Sequence, residues 1–180
     1  MVALAFTNVR RVICFIYQSV PKQIALECSS MPEVPPNQNT WPPFHYIVRG
    51  IIRDGDHLLL CKQKDGAYTF LLGGHIDLGE AAKVALAREI KEEINADIEV
   101  GQFRGAIENA WDDQSEISLV FEVKHSLTKD VTPQPASPAE EHLEFLWVHI
   151  DQLFEHTLLP TPLVTWLQNE NHDLWASTIG

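Results

Sequence analysis

Cysteine is scarce: Cys14, Cys28 and Cys61 are odd in number and widely spaced, and no Cys-x-x-Cys pair occurs. That excludes a disulfide framework and fits a reducing cytoplasm, which is the expected location. Basic charge is also scarce. Lys and Arg number 13 against 25 Asp and Glu, for a net charge of −12. No basic stripe is available to follow a phosphate backbone, so a general nucleic-acid binder is excluded. Nucleotides are not, because a bound metal reverses the local sign of an acidic site. Long apolar runs are missing too: none approaches the roughly 18 residues of a membrane span. Arg10 and Arg11 precede an apolar stretch, Val12 to Tyr17, but it is short and no clear small-residue cleavage site follows it. This argues against a signal peptide. The expected partner is a small molecule, with neither nucleic acid nor membrane.

With 180 residues one domain is the default, and the apolar fraction is ordinary for a globular chain. Residues 1–43 stand apart. Met31 to Pro43 carries five prolines, a composition that reads as linker or loop. A loose arm, an added strand over Val12 to Tyr17, and an upstream start all remain open. The domain proper is expected over 44–180. Tyr46 to Ile52 and His57 to Lys64 read as strands of a hairpin around Asp54-Gly55. Tyr68 to Leu72, Ile98 to Ala106, Glu116 to Lys124 and Leu143 to His149 read as further strands. Asn109 to Gln114 reads as a polar connection holding Trp111, and Thr128 to Pro138 as a surface loop. Ile150 to Leu153 begins a helical turn, and Leu163 to Asn169 reads as a closing helix. Strands flanking an acidic helix predict an α/β fold with a mixed sheet.

That helix spans Ala81 to Ile94, a stretch without Gly or Pro, and Asn95 suits the left-handed position past its end. At about 100° per residue, Leu86, Ala87, Ile90 and Ile94 form the expected buried stripe. Glu89, Glu92 and Glu93 gather on the other side, among Ala82, Ala85 and Ala96, with Arg88 near enough to offset them. Converging carboxylates beside small residues suit a hard divalent cation.

Gly74, five residues, Glu80, seven residues, then Arg88-Glu89-Ile90-Lys91-Glu92-Glu93 and the apolar Ala96 resembles the Nudix box. Asn95 replaces the last Gly of that signature, and Asn tolerates positive φ. The resemblance implies an α/β/α sandwich with a mixed β-sheet, in which Gly74, Glu89, Glu92 and Glu93 bind Mg²⁺, with Mn²⁺ as a substitute. It implies a pyrophosphohydrolase in which water attacks phosphorus of a nucleoside triphosphate or of a nucleoside diphosphate linked to another moiety. Glu89, Glu92 and Glu93 carry the catalysis on this view. Glu80 and Arg88 match a structural brace of loop against helix. A general base from a later loop is expected at Glu141 or its neighbour Glu140, with Glu116 as a further candidate. Lys62, Lys64, Phe70, His75 and Trp111 are candidate substrate contacts. Trp147 and Trp166 read as core. The alternative is a non-catalytic Nudix module that binds or senses a nucleotide; the intact box carboxylates weigh against it. The resemblance also allows a homodimer.

Overall fold

The computed structural model describes residues 43–169 and 175–179. The expected arm up to residue 42, including the strand over Val12 to Tyr17, lies outside the described residues. Among the described residues, eight strands and two α-helices follow: β1 Phe44–Ile51, β2 Arg53–Asp54, β3 His57–Gln63, β4 Phe70–Leu71, α1 Ala82–Ile94, β5 Glu99–Trp111, β6 Gln114–Lys124, β7 Leu143–His149, α2 Pro162–Gln168 and β8 Trp175–Ser177. The fold is mixed α/β.

The strands form two sheets. One runs β1-β6-β5-β8, with β1 parallel to β6, β6 antiparallel to β5 and β5 parallel to β8. In the other, β3 pairs antiparallel with β2 and β4, and with β7. The expected hairpin shrinks to β2 against the start of β3, where Arg53 faces Leu58 and Asp54 faces His57. β1 belongs to the other sheet because both its faces are apolar. Val48 packs into one core and Ile51 into the second, and a strand buried on both sides belongs between layers.

The loop after β4 then runs along the edge of β1. Gly50 N donates to Leu72 O, Val48 N to Gly74 O and Ile76 N to Tyr46 O, at 2.9 to 3.0 Å. This ties the glycine loop to the strand layer.

Two cores lie on opposite faces. On one, Leu86, Ile90 and Ile94 of α1 pack on Val48, Leu59, Cys61, Phe121 and Phe145. On the other, Leu163, Trp166 and Leu167 of α2 pack on Ile51, Leu58, Leu60, Val120 and Val148. Leu58 and Leu60 alternate with Leu59 and Cys61 along β3, the two-residue period of a strand between layers. Burial raises the Cys61 thiol far above its ordinary pKa, so it behaves as a small core apolar group.

Two strands differ from expectation. β5 runs on through Asn109 to Trp111 and turns at Asp112, whose φ is 49°. The expected connection Asn109 to Gln114 therefore shrinks to the turn Asp112-Asp113, and its remaining residues belong to β5 and β6. β8 was not anticipated. No helix among the described residues is long and apolar enough to cross a membrane.

Candidate active site

Helix α1 ends where its sequence indicates. Asn95 adopts φ 54° and its N–H closes on Lys91 O. Ala85, Leu86, Ile90 and Ile94 are buried, and Glu93 is buried with them. The three carboxylates thus do not share one solvated face. Glu92 is exposed, Glu89 is half-buried, and Glu93 is only 6% exposed. Seven residues turn a helix by about 700°, which brings Glu93 within about 20° of Leu86 at the core edge.

The glycine loop lies directly over these side chains. Gly73 has φ 125°, and a Cβ there would strike the Val48 carbonyl. A Cβ on Gly74 would collide with the Glu89 carboxylate. Both positions require glycine, one for conformation and one for close approach. Gly73 N donates to Glu93 Oε2 at 3.2 Å. Desolvation pushes the Glu93 carboxyl up to about 8, opposed by Arg49 and the Gly73 N–H, while Glu89 and Glu140 push it further up.

Arg88 ties loop to helix. Its Nε and Nη2 donate to Glu80 Oε1 and Oε2 at 3.0 and 2.9 Å, and Nη2 also donates to His75 O at 3.0 Å. Nη1 reaches Glu89 at 2.7 Å and Glu92 at 3.2 Å. The fork on Glu80 is the bidentate geometry that lysine cannot reproduce, and it holds the Glu80 carboxyl below its ordinary range.

Among the described residues, no three His, Cys, Asp or Glu side chains converge closely enough to hold a metal as they stand. Glu89 and Glu92 are drawn to Arg88, and Gly74 O accepts from Val48 N. The donor chemistry nonetheless fits a hard divalent cation. A desolvated Glu93 lies among further carboxylates and beside backbone that approaches closely, and a cation would relieve that concentration of charge.

A cavity of about 570 Å³ opens beside this cluster, lined by Arg49, Tyr68, Phe70, Asn109, Trp111 and Glu116 among others. Its volume lies within the roughly 300–1,000 Å³ of small-molecule sites. The β1-β6-β5 sheet supplies Arg49, Glu116 and Asn109. Arg49 Nη1 donates to Leu71 O and Gly73 O at 3.0 and 2.7 Å, and its guanidinium stands 5.1 Å from the Phe70 ring centre. Arg49 also acts on the Glu93 charge, so the cavity adjoins the acidic cluster.

Of the candidate contacts, Phe70 and Trp111 line this cavity. His75 Nε2 pairs with His45 Nδ1 at 2.9 Å, and His45 stacks on Trp111 with ring centres 5.5 Å apart. Lys62 pairs with Glu144 at 3.2 Å and lines a separate cavity of about 240 Å³. Lys64 is exposed, and neither lysine lines the main cavity. Glu140 acts on Glu93 electrostatically, whereas Glu141 is exposed on the turn beyond it. Sequence reasoning missed Arg49, Asn109 and Tyr68. Arg49 carries a signal nonetheless: it is a lone charge inside the apolar run Ile47 to Ile52.

Comparison with known proteins bears on the family and the fold. The family model for the NUDIX domain matches residues 43–168. An NAD-capped RNA hydrolase NudC from Stutzerimonas stutzeri is 30% identical over 106 residues, covering 57% of this chain and 36% of that protein. A MutT-like protein from Streptomyces ambofaciens is 32% identical over 93 residues, covering 51% of this chain and 59% of that one. The chain thus spans about a third of one of these relatives and under two thirds of the other. Among solved structures, a MutT protein from Methanosarcina mazei superposes with a TM-score of 0.59 at 21% identity, over 71% of this chain and 92% of that one. A UDP-X diphosphatase superposes with a TM-score of 0.58 at 14% identity, over 94% and 83%. At those identities the structural likeness speaks for the fold.

Proposed function

The chain belongs to the Nudix family, and from that premise we propose that it hydrolyses the diphosphate of a nucleoside triphosphate or of a nucleoside diphosphate joined to another group. The observation that carries this reading is Glu93, a desolvated carboxylate beside Glu89 and the Gly73-Gly74 backbone, at the edge of a nucleoside-sized cavity.

Glu89, Glu92, Glu93 and the Gly74 carbonyl would hold Mg²⁺, or Mn²⁺ in its place. When bound, the cation supplies charge neutralisation on the phosphate oxygens. Arg88 and Glu80 keep the loop and helix in register, so the carboxylates are positioned before substrate arrives. Arg49, anchored through Nη1, turns its remaining N–H groups toward a phosphate oxygen. Water forms the new P–O bond as the anhydride P–O bond breaks, and its proton passes to a carboxylate. Glu140 suits that role better than Glu141, because its charge is felt at Glu93. The products are a phosphate monoester and the other phosphorylated half.

The relatives' names span NAD-capped RNA and UDP-X. With a net charge of −12, the small-molecule end of that range suits this chain better. The test is a panel of nucleoside triphosphates, nucleotide sugars, ADP-ribose and dinucleotides with Mg²⁺ or Mn²⁺, repeated with chelator. Metal-dependent release of phosphate or pyrophosphate is expected for one class. Nucleotide binding without turnover would establish the sensor alternative instead.

A further inference from the structure

We propose that the 570 Å³ cavity selects a guanine base, read by Glu116 and Asn109. The assignment rests on the function proposed above for one point only: that phosphates occupy the Arg49 and Glu93 end. Glu116 and Asn109 stand directly opposite each other in the β6–β5 register, on the sheet face that floors the cavity. Each is half-satisfied in a way that fixes what remains. Ser118 Oγ donates to Glu116 Oε1 at 2.6 Å, and Thr178 Oγ1 donates to Asn109 Oδ1 at 2.6 Å. Among the described residues, nothing hydrogen-bonds Glu116 Oε2 or Asn109 Nδ2. Oε1 keeps a second lone pair beside the free Oε2, so the floor offers a ligand both oxygens of one carboxylate, 8% exposed and thus largely desolvated, next to one amide donor.

Guanine complements that pair. Its N1–H and N2–H groups are adjacent donors for a carboxylate, and O6 beside them accepts from an amide. Adenine presents the N1 lone pair where the carboxylate lies. Uracil offers one N–H between two carbonyls, and cytosine one amino group beside two acceptors. A nicotinamide carboxamide has one donor face and one acceptor, but no second donor for the carboxylate. Trp111, braced by the stacked His45, and Phe70, beneath the Arg49 guanidinium, supply aromatic walls on which a flat base rests. A buried carboxylate left unpaired by the wrong base makes the discrimination steep.

The test is calorimetric titration of the full chain with GMP, AMP, CMP, UMP and nicotinamide mononucleotide in chelator, so that nothing is turned over. GMP is expected to bind at least roughly tenfold tighter than the others. Glu116→Gln presents one donor and one acceptor, the complement of the adenine edge, so GMP should weaken by roughly ten- to hundredfold while AMP tightens. Asn109→Ala should weaken GMP alone, and it decides the matter if the glutamine variant does not fold. Equal binding by the parent, nicotinamide mononucleotide ahead of GMP, or a uniform loss in Glu116→Gln would each overturn the assignment. Turnover by the metal-loaded protein without base preference would sink the guanine reading and leave the hydrolase reading standing. Guanine-selective binding without turnover would do the reverse.

Discussion

Arg49 acts on the charge of one buried carboxylate, Glu93, and lines a cavity with another, Glu116, and the two are held in opposite ways. Glu93 has one backbone N–H as its hydrogen-bond partner and lies within reach of the Glu89 and Glu140 charges. Glu116 has a hydroxyl donor on one oxygen and an amide-bearing side chain across the strand from it. The first site accumulates negative charge that its own residues do not neutralise; the second is a half-completed hydrogen-bond pair. Carboxylates of similar burial therefore invite different ligands, a divalent cation at one and a ring of N–H donors at the other. Burial alone does not assign a role; the remaining neighbours do.

The largest break in that comparison should come from Glu93→Gln. Removing the charge while keeping the shape is expected to lower kcat by about 10³-fold or more, since metal-assisted charge stabilisation contributes several kcal/mol. The stability of the metal-free protein should move the other way. The folded carboxyl titrates near 8, above its ordinary 4.5, so between those values the folded state keeps a proton that the unfolded chain releases. Stability of the parent should fall as pH rises through that window, by up to about 5 kcal/mol, and level off above it. Thermal melts of the parent and Glu93→Gln from pH 5 to 9 in chelator check this. A parent curve as flat as the variant's would show that the Glu93 carboxyl is not desolvated, and would remove the observation on which the proposed function rests. The equivalent change at Glu116 should leave that pH slope in place.

The two sites also differ in how the chain encodes them. The acidic cluster comes almost wholly from Gly73 to Ala96, one loop and one helix whose spacing is readable in order. Even there the wheel grouped Glu93 with Glu92, although its angle lies beside Leu86; the burial of a charged residue is set by what packs over the helix. The cavity draws on β1, the segment before β4, β5, β6 and the turn before α2, which only the pairing of distant strands brings together. Its chemistry also hid its structure. Asn109 and Glu116 interrupt the apolar pattern because they face a cavity, so the end of β5 read as a polar connection. β1 carried too little information to reveal that it pairs in parallel with β6, since that choice depends on a partner some 70 residues away. β8, three residues long and next to β5, has no period to detect.

A smaller effect should separate structure from chemistry within the helix end. Arg88→Lys keeps the charge but loses the fork onto Glu80, and a single ammonium cannot also reach His75 O, Glu89 and Glu92. A stability loss of about 1–3 kcal/mol is expected, with kcat reduced because the loop and Glu89 shift together. Denaturant unfolding and kinetics on the same preparations test it. Unchanged stability with lost activity would mean that Arg88 touches substrate and is no brace.

The finest positional distinction is between two adjacent acids. Glu140 closes a short turn, Pro138–Glu140, directly before β7, and its charge reaches both Glu93 and Cys61. Glu141 sits one residue on, exposed, with its backbone N–H returned to Pro138 O. A step of one residue at the end of a single turn redirects a side chain by about a third of a revolution, enough to send one carboxylate to the cluster and the other to water. Glu140→Gln should therefore lower kcat by about 10²- to 10⁴-fold if it takes the proton from water. If it only tunes the field at Glu93, the loss should be about tenfold. Glu141→Gln should stay within about twofold of the parent in either case. The pH–rate profiles tell the first two apart, because loss of a base removes the acidic limb, whereas a changed field only moves it. A large loss in Glu141→Gln would mean that the turn rearranges when substrate binds, and that the acidic cluster is completed only then.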